Sequence, residues 1–151
     1  MDTKKLVLLG DSRVGKTTLV RRLLETDVDG SYQPTIGVEV EPVVIKHGSI
    51  KRRYNIWDMA GDPRYRGMGE DYLISAKIAV IMYDNPSLTS AIDWEAQVRR
   101  VCPEASIVKC VNHFHDVECS SSSSRFVNIR GSSDDESTNG IRNLREILST
   151  L

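Results

Sequence analysis

Apolar runs of strand length alternate with helix-like segments along the chain, and this alternation predicts the fold. Each run is bounded by turn residues, and the runs occupy residues 5–10, 38–46, 52–58, 77–84, 106–112 and 125–129. The first and fourth are continuously apolar, as expected of strands that are buried on both faces of a parallel sheet. The second alternates in polarity and contains Pro42, which indicates a half-exposed strand at a sheet edge.

Helical periodicity marks three segments, residues 16–25, 87–101 and 140–151, in which apolar residues recur on one face. Ser87 is the candidate N-cap of the second segment. Because strands and helices alternate, we predict an α/β fold with a doubly wound, mostly parallel sheet and helices on both faces. The chain of 151 residues is long enough for one domain, residues 1–151, that buries roughly two thirds of its unfolded surface.

Composition limits the classes of partner. A formal net charge of −1 and an isoelectric point near 6.3 give no overall field that would steer the chain to nucleic acid or to an anionic membrane, so any anion recognition must be local. The three cysteines have no metal-ligand spacing, which fits a reduced setting inside the cell. No secretory, transmembrane or prenylation signal is found. We expect a monomer in the cytoplasm, the nucleus or both, with no nucleic-acid partner and no membrane anchor.

A phosphate-binding pattern lies at the junction of the first predicted strand and the first predicted helix. The segment "GDSRVGKT" matches G-x-x-x-x-G-K-[ST] in the context that the pattern requires. The backbone N–H groups of such a loop form a ring of donors at the positive end of a helix. Lys16 would place a charge between the terminal phosphates, and the Thr17 hydroxyl would complete a magnesium site. The candidate phosphate-binding residues are Gly10, Asp11, Ser12, Arg13, Val14, Gly15, Lys16, Thr17 and Thr18.

Two further segments fall where a nucleotide site of this kind requires them. "WDMAG" ends a predicted strand with Asp58, an acid that would hold magnesium through water, and Gly61, whose N–H would meet a terminal phosphate. "YQPTIG" offers Thr35 in the loop before the edge strand, where a hydroxyl would also bind magnesium. Each segment is weak alone, but their order after the phosphate loop is specific. The candidate metal-binding residues are Thr17, Thr35 and Asp58.

With these motifs the sequence resembles the Ras superfamily of small GTPases, and within it the Ran family. The resemblance rests on "GDSRVGKTTLVRRLL", "PTIGVEVEPVV", "YNIWDMAGD" and "DWEAQVRRVCPEASIVKCVN". It implies a P-loop fold with a six-stranded, mostly parallel sheet, a GDP/GTP cycle with Mg²⁺, and two switch loops that control protein regulators or transport-receptor-like effectors. A role in nucleocytoplasmic transport is implied by the resemblance alone.

The second switch departs from the family pattern at the residue after its glycine. The family carries a glutamine there that orients the attacking water, whereas this chain has Asp62 followed by Pro63. A carboxylate next to a triphosphate repels its charge and cannot supply the same donor and acceptor. With Gly61 and Asp62 as the candidate catalytic residues, we expect a nominal GTPase with weak intrinsic hydrolysis.

The base-binding segments depart further. The family reads guanine with Asn-Lys-x-Asp, and here "NHFH" places Asn112, His113 and His115 in the asparagine, lysine and aspartate positions, with Asp116 one residue late. A neutral imidazole accepts one hydrogen bond where a carboxylate accepts two. Gly131, in the segment that resembles the later base loop, would still donate its N–H. Unless the loop bulges to bring Asp116 forward, guanine binding should weaken by one to two decades, which corresponds to about 1.5–3 kcal/mol.

Three hypotheses therefore stay open. The first is a Ran-like small GTPase that binds GDP and GTP with magnesium and hydrolyses GTP slowly. The second is a pseudo-GTPase, an interaction module that binds its partners independently of nucleotide. The third is a P-loop phosphotransferase that prefers another base, although no lid or substrate-binding insertion is visible in the sequence.

Overall fold

The computed structural model describes residues 2–24, 37–62, 70–85, 87–113, 126–130 and 135–151, with side chains omitted at 113, 126–130 and 135–140. Six strands form one sheet in the order β2-β3-β1-β4-β5-β6. The strands are β1 (Thr3–Gly10), β2 (Val38–His47), β3 (Ile50–Met59), β4 (Ile78–Tyr83), β5 (Ser106–His113) and β6 (Phe126–Arg130). All neighbours are parallel except β2 and β3. The predicted six-stranded, mostly parallel sheet is confirmed.

Strand β2 lies at one edge of the sheet, as its alternating pattern and Pro42 predict. Proline has no backbone N–H to donate. An edge strand tolerates it because one side of that strand has no neighbouring strand, so no hydrogen bond between strands is lost there. A tight turn at Gly48 and Ser49 joins β2 to β3, and Gly48 adopts the left-handed φ of 59°. The β2–β3 hairpin therefore projects from the sheet at one end of its edge.

In the described part of the chain, three helices and a short 3-10 helix accompany the sheet. The helices are α1 (Lys16–Leu23), α2 (Trp94–Val101) and α3 (Asp135–Thr150), and the 3-10 helix is Asp71–Leu73. Helix α3 begins five residues before the predicted start at 140 and includes a polar first turn. None of the helices in the described part of the chain has both the length and the apolar character needed to cross a bilayer.

The predicted start of the second helix at Ser87 was wrong. Helix α2 begins at Trp94, and its N-cap is Asp93, whose carboxylate accepts from Ala96 N at 2.9 Å. Ser87 instead donates to the side chain of Asn85, which Thr89 N also contacts. These side-chain bonds give the backbone an alternative to helical bonding, which is why the apolar periodicity of 87–93 was misleading.

Two hydrophobic cores cover the two faces of the sheet, as a doubly wound fold requires. On one face, α1 and α3 pack on β1, β3 and β4 through residues such as Leu19, Leu144 and Ile56. On the other face, α2 and the 3-10 helix pack on the same sheet through Trp94 and Leu73. The alternation of side chains along β1, β3, β4 and β5 supplies both cores, so the sheet lies between them.

Helix α3 also fixes the end of α1. Arg145 donates to Arg22 O at 3.3 Å and to Leu23 O at 3.0 Å. These carbonyls lie in the last turn of the helix, where a guanidinium donates to them and complements the negative end of the helix dipole. The last helix thereby holds α1, and with it the phosphate loop at the start of α1.

Candidate functional site

The phosphate loop leaves the sheet at Gly10, where side-chain atoms have no room. Gly10 pairs with Met82 of β4, and a Cβ on Gly10 would lie 2.6 Å from Met82 O and 2.9 Å from a methyl of Val14. Its φ of 147° also disfavours other residues. The loop can therefore turn tightly over the end of β1 only because this residue is glycine.

The loop ends at the start of α1, where backbone donors are left without a side-chain cap. Gly15 is the N-cap with a φ of 97° and, as a glycine, it has no side chain that could cap the first helical N–H groups. A helix start favours an anion because its N–H groups and the helix dipole act in the same direction. Within the same loop Arg13 has a φ of 65°, a left-handed conformation that costs a non-glycine residue about 1–2 kcal/mol. Backbone strain of this kind is concentrated at functional sites.

Lys16 extends along this loop with its ammonium buried. The side chain is only 7% exposed, and Nζ donates to Gly10 O at 2.8 Å and to Asp11 O at 2.7 Å. A buried ammonium needs acceptors, and these carbonyls hold the charge inside the curve of the loop. The charge therefore lies where the sequence predicts contact with terminal phosphates.

Thr17 and Asp58 meet at the carboxyl end of the sheet. Thr17 Oγ1 donates to Asp58 Oδ2 at 2.6 Å, and Asp58 is only 2% exposed. Its second oxygen, Oδ1, is buried and accepts no hydrogen bond from any residue in the described ranges. Burial raises the pKa of the Asp58 carboxyl above its ordinary value, and Glu39 adds to the rise, while the Thr17 hydrogen bond and Lys16 oppose it. An orphaned, desolvated carboxylate oxygen beside a hydroxyl is the donor set that a hard divalent cation prefers.

Gly61 lies directly against the phosphate loop. A Cβ on Gly61 would be 2.4 Å from Ser12 N and 2.6 Å from Lys16 Nζ. The preceding residue is also fixed, because Ala60 N donates to Gly37 O at 3.0 Å. The beginning of the second switch is thus in contact with the loop, and a larger residue at Gly61 would have to displace it.

Asp11 directs its side chain to α2 and the segment before it. Its Oδ1 accepts from Ser90 Oγ at 2.6 Å and from the indole N–H of Trp94 at 3.2 Å. No sequence pattern predicted this contact, because Ser90 and Trp94 lie 79 and 83 positions from Asp11. Asp11 was predicted as a phosphate-loop residue, and it contributes its backbone carbonyl to Lys16 while its carboxylate supports the loop.

Asn112 connects the base-binding segment to the phosphate loop. It is 4% exposed near the end of β5, and its Nδ2 donates to Val14 O at 2.9 Å. This hydrogen bond ties the base-binding segment to the phosphate loop, while the role of Asn112 in nucleotide binding stays a prediction. Asn112 Oδ1 is buried without a partner in the described part of the chain. The two loops cannot move independently while this bond holds.

The structure brings part of the predicted site together. Lys16, Thr17, Asp58, Gly61 and Asn112 all lie at the carboxyl ends of parallel strands or in the loop beside them, where ligands bind in open α/β sheets. His113 is the last residue of β5, and Asp62 is half-buried at the end of a described range. The other predicted contacts, Thr35, His115 and Gly131, lie outside the described residues, as does Asp116.

A comparison with known protein families decides the assignment. The family model described as Ras of Complex, Roc, domain of DAPkinase matches residues 5–115. That range is most of the chain, and it includes the phosphate loop, Asp58, Gly61 and Asn112.

This chain belongs to the Roc family.

The Roc match places the chain in the Ras superfamily of small GTPases and supports a small GTP-binding protein in general. It agrees with the P-loop fold and with the geometry at the end of β1. It does not distinguish a Ran-like protein from other members of the superfamily. The matched range ends at 115, so β6 and α3 of this Roc domain lie beyond it.

Proposed function

We propose that this Roc domain binds GDP and GTP with Mg²⁺, hydrolyses GTP slowly, and uses its switch loops to control protein partners. One observation carries the proposal. The Asp58 carboxylate is buried beside the Thr17 hydroxyl near the start of α1, and its Oδ1 accepts no hydrogen bond from the residues that the structure describes. Burying such an oxygen without a partner is unfavourable in the empty protein, and a bound cation would offset that cost.

The residues at this position fit Mg²⁺. Thr17 Oγ1 and Asp58 Oδ1 are hard oxygen donors, which magnesium prefers to nitrogen or sulphur. Magnesium usually keeps several water molecules and takes only one or two protein ligands beside the phosphates of a substrate. A bound Mg²⁺ would neutralise charge on the phosphate oxygens. Thr17 would bind the ion directly, Asp58 would hold it directly or through water, and Thr35 is the further candidate ligand.

The phosphate contacts follow from the geometry of the loop. The N–H groups at the start of α1 face the region where phosphates bind in such loops. Lys16 would exchange one or both of its carbonyl acceptors, Gly10 O and Asp11 O, for phosphate oxygens. Because the ammonium is already buried, it loses little further hydration in that exchange, and its attraction to phosphate is weakly screened.

Slow hydrolysis follows from the residue after Gly61. Orientation of an attacking water requires a side chain that both donates and accepts, and ionised Asp62 only accepts. Gly61 would contribute its backbone N–H to the terminal phosphate, which its contact with the loop at Ser12 allows. We therefore expect this protein to bind GTP while hydrolysing it only slowly.

Binding is tested by isothermal titration calorimetry of the purified chain with GDP, GTP and ATP, with Mg²⁺ and with chelator. We expect binding of both guanine nucleotides that weakens by at least tenfold without the metal, with a smaller preference over ATP than an intact Asn-Lys-x-Asp loop would give. Mass spectrometry of the gently purified protein shows which nucleotide accompanies it. Absence of any magnesium-dependent GDP or GTP binding would sink the proposal.

The second candidate is a pseudo-GTPase that binds partners independently of nucleotide. It is favoured by the imidazoles at 113 and 115 and by Asp62, since each removes a group that the cycle uses. It predicts that a protein partner binds the Lys16→Ala variant as tightly as it binds the unchanged protein. We also propose Ran-like transport duties and a cytoplasmic or nuclear location. The support is the resemblance to Ran of the "GVEVEP" segment and of helix α2, which begins at Trp94 and has Cys102 as its C-cap.

A further inference from the structure

The β2–β3 hairpin concentrates positive charge in a chain that has almost none overall. Between Pro42 and Trp57 the sequence has four Lys or Arg residues and no Asp or Glu, although the formal net charge of the whole chain is −1. Lys46, Lys51 and Arg53 are exposed, and Arg52 is half-buried. Within the described ranges no acidic group forms an ion pair with any of them. The hairpin tip, residues 44–53, is therefore a local cationic surface.

Strand pairing brings these charges together. Lys46 lies directly opposite Lys51, and Val44 lies opposite Arg53, so the three cations and Val44 share one face of the hairpin. Like charges directly opposite each other destabilise a sheet. Folding thus creates a repulsion that an anionic partner would relieve.

The tip also exposes apolar side chains. Ile50, which follows the turn, is 39% exposed, and Val44 is 41% exposed. Ile50 pairs with His47, and Arg52 shares their face, which is opposite to the face of Lys46 and Lys51. Cationic and apolar groups therefore surround the tip on both faces.

We propose that the hairpin tip docks end-on against an anionic lipid membrane. A partner lying flat on one sheet face would meet only one set of cations, whereas a planar surface met end-on contacts Lys46 and Lys51 on one face and Arg52 on the other. Ile50 would enter the interface while the cations meet lipid phosphates. A single-stranded nucleic acid is typically bound by exposed aromatic rings on which its bases stack, and between 44 and 53 the tip has no Phe, Tyr or Trp, only the half-buried imidazole of His47.

The arrangement leaves the nucleotide site free. Ile50 begins β3 and Asp58 lies near its end, so about 26 Å separates them at the rise of an extended strand. The phosphate loop is at the carboxyl edge of the sheet, beside Asp58. A protein docked by its hairpin would therefore present its nucleotide site away from the lipid. The membrane contact needs no nucleotide, so its failure and that of nucleotide binding are separate results.

The test is cosedimentation of the full chain with vesicles of phosphatidylcholine, with and without phosphatidylserine. We expect binding to the anionic vesicles only, with a loss at high salt. The Lys46→Gln/Lys51→Gln double variant should lower partitioning roughly 25-fold, and Lys51→Gln alone roughly fivefold. Ile50→Ser should lower it about fivefold, because the side chain is already partly covered.

Arg142→Gln is the matched control, because it removes one charge from an exposed position of α3. This variant should bind anionic vesicles as the unchanged protein does, and circular dichroism should show that every variant is folded. Equal binding to neutral vesicles, an unchanged double variant, or no vesicle binding at all would overturn the proposal. Binding of duplex RNA or an acidic peptide without vesicle binding would assign the hairpin to that partner and overturn it equally.

Discussion

The phosphate half and the base half of the candidate site differ in how much of their chemistry is present. In the phosphate half, Lys16, Thr17, Asp58 and Gly61 lie in mutual contact or share the same loop, and each has the residue type that the chemistry needs. In the base half, Asn112 keeps its bond to Val14, but the lysine and aspartate positions hold histidines.

The difference indicates where binding free energy would come from. Backbone N–H groups, one ammonium and a divalent ion act on the phosphates, which every nucleotide has. Selection among bases depends on side chains such as the carboxylate that position 115 lacks. We therefore expect a protein in which affinity for nucleotides is better preserved than selectivity for guanine.

Removal of the buried ammonium should have the largest effect. Lys16→Ala deletes a charge-assisted contact to phosphate worth about 3 kcal/mol, so affinity for GDP and GTP should fall about a hundredfold or more. Titration calorimetry measures the change. Lys51→Ala removes an exposed lysine far from the site and should leave affinity unchanged. Equal affinity of the Lys16 variant would mean that the phosphate half is not in use.

Restoration of a carboxylate in the base half should have the next largest effect. His115→Asp would return an acceptor of two hydrogen bonds and raise guanine affinity by one to two decades, with little change for ADP. Competition between GDP and ADP for a fluorescent nucleotide measures both. The companion variant Asp116→Ala should be silent. If that variant instead abolishes guanine preference, then Asp116 already supplies the carboxylate and the contrast between the halves is smaller than we propose.

Addition of a methyl group at Gly61, where its backbone contacts the phosphate loop, should have a moderate effect on stability and on GTP affinity. Gly61→Ala forces the backbone away from Ser12 and should cost about 1–3 kcal/mol of stability, as overpacking does. It should also lower GTP affinity about tenfold, because the N–H is displaced. Gly48→Ala is the control, since its Cβ would meet nothing within 4 Å. That variant strains the turn at a φ of 59° but should bind GTP normally.

The pH dependence of the empty protein should show the smallest effect. Burial raises the pKa of Asp58 above the ordinary value of 3.8, so the folded state binds this proton more tightly than the unfolded chain. The resulting stabilisation is present below pH 3.8 and is lost as the pH rises through the higher folded pKa. In chelator, Asp58→Asn should therefore melt at a higher Tm than the unchanged protein at neutral pH, with the difference shrinking on acidification. An equal Tm difference between the two proteins at every pH would contradict this prediction.

Much of the fold could be predicted because local and global signals agree in it. Continuous apolar runs became buried parallel strands, and the alternating run with Pro42 became the edge strand β2. Where side chains compete locally with the backbone, the prediction failed. The apolar periodicity through 87–93 resembled that of a helix. The Asn85 side chain instead accepts hydrogen bonds from Ser87 and Thr89, and α2 begins only at Trp94.

The residues of the candidate site could likewise be predicted only where a local motif marks them. Motif spacing was sufficient to name Lys16, Thr17 and Asp58, since the phosphate loop carries its own local pattern. No spacing rule could reveal that the Asp11 carboxylate meets Ser90 and Trp94, or that Arg145 caps α1, because these contacts exist only once distant elements have packed. Sequence names the groups in a motif, but tertiary packing decides which of them face the ligand.

The support that Asp11 receives has a kinetic consequence. Ser90 and Trp94 belong to α2 and the segment before it, which are not part of either switch. The phosphate loop is thus supported by residues outside the two segments that the resemblance identifies as switches. Once a nucleotide departs, its replacement would find the donors already arranged, so that association would be governed by encounter. The lifetime of the bound state would then be the quantity that any exchange factor has to shorten.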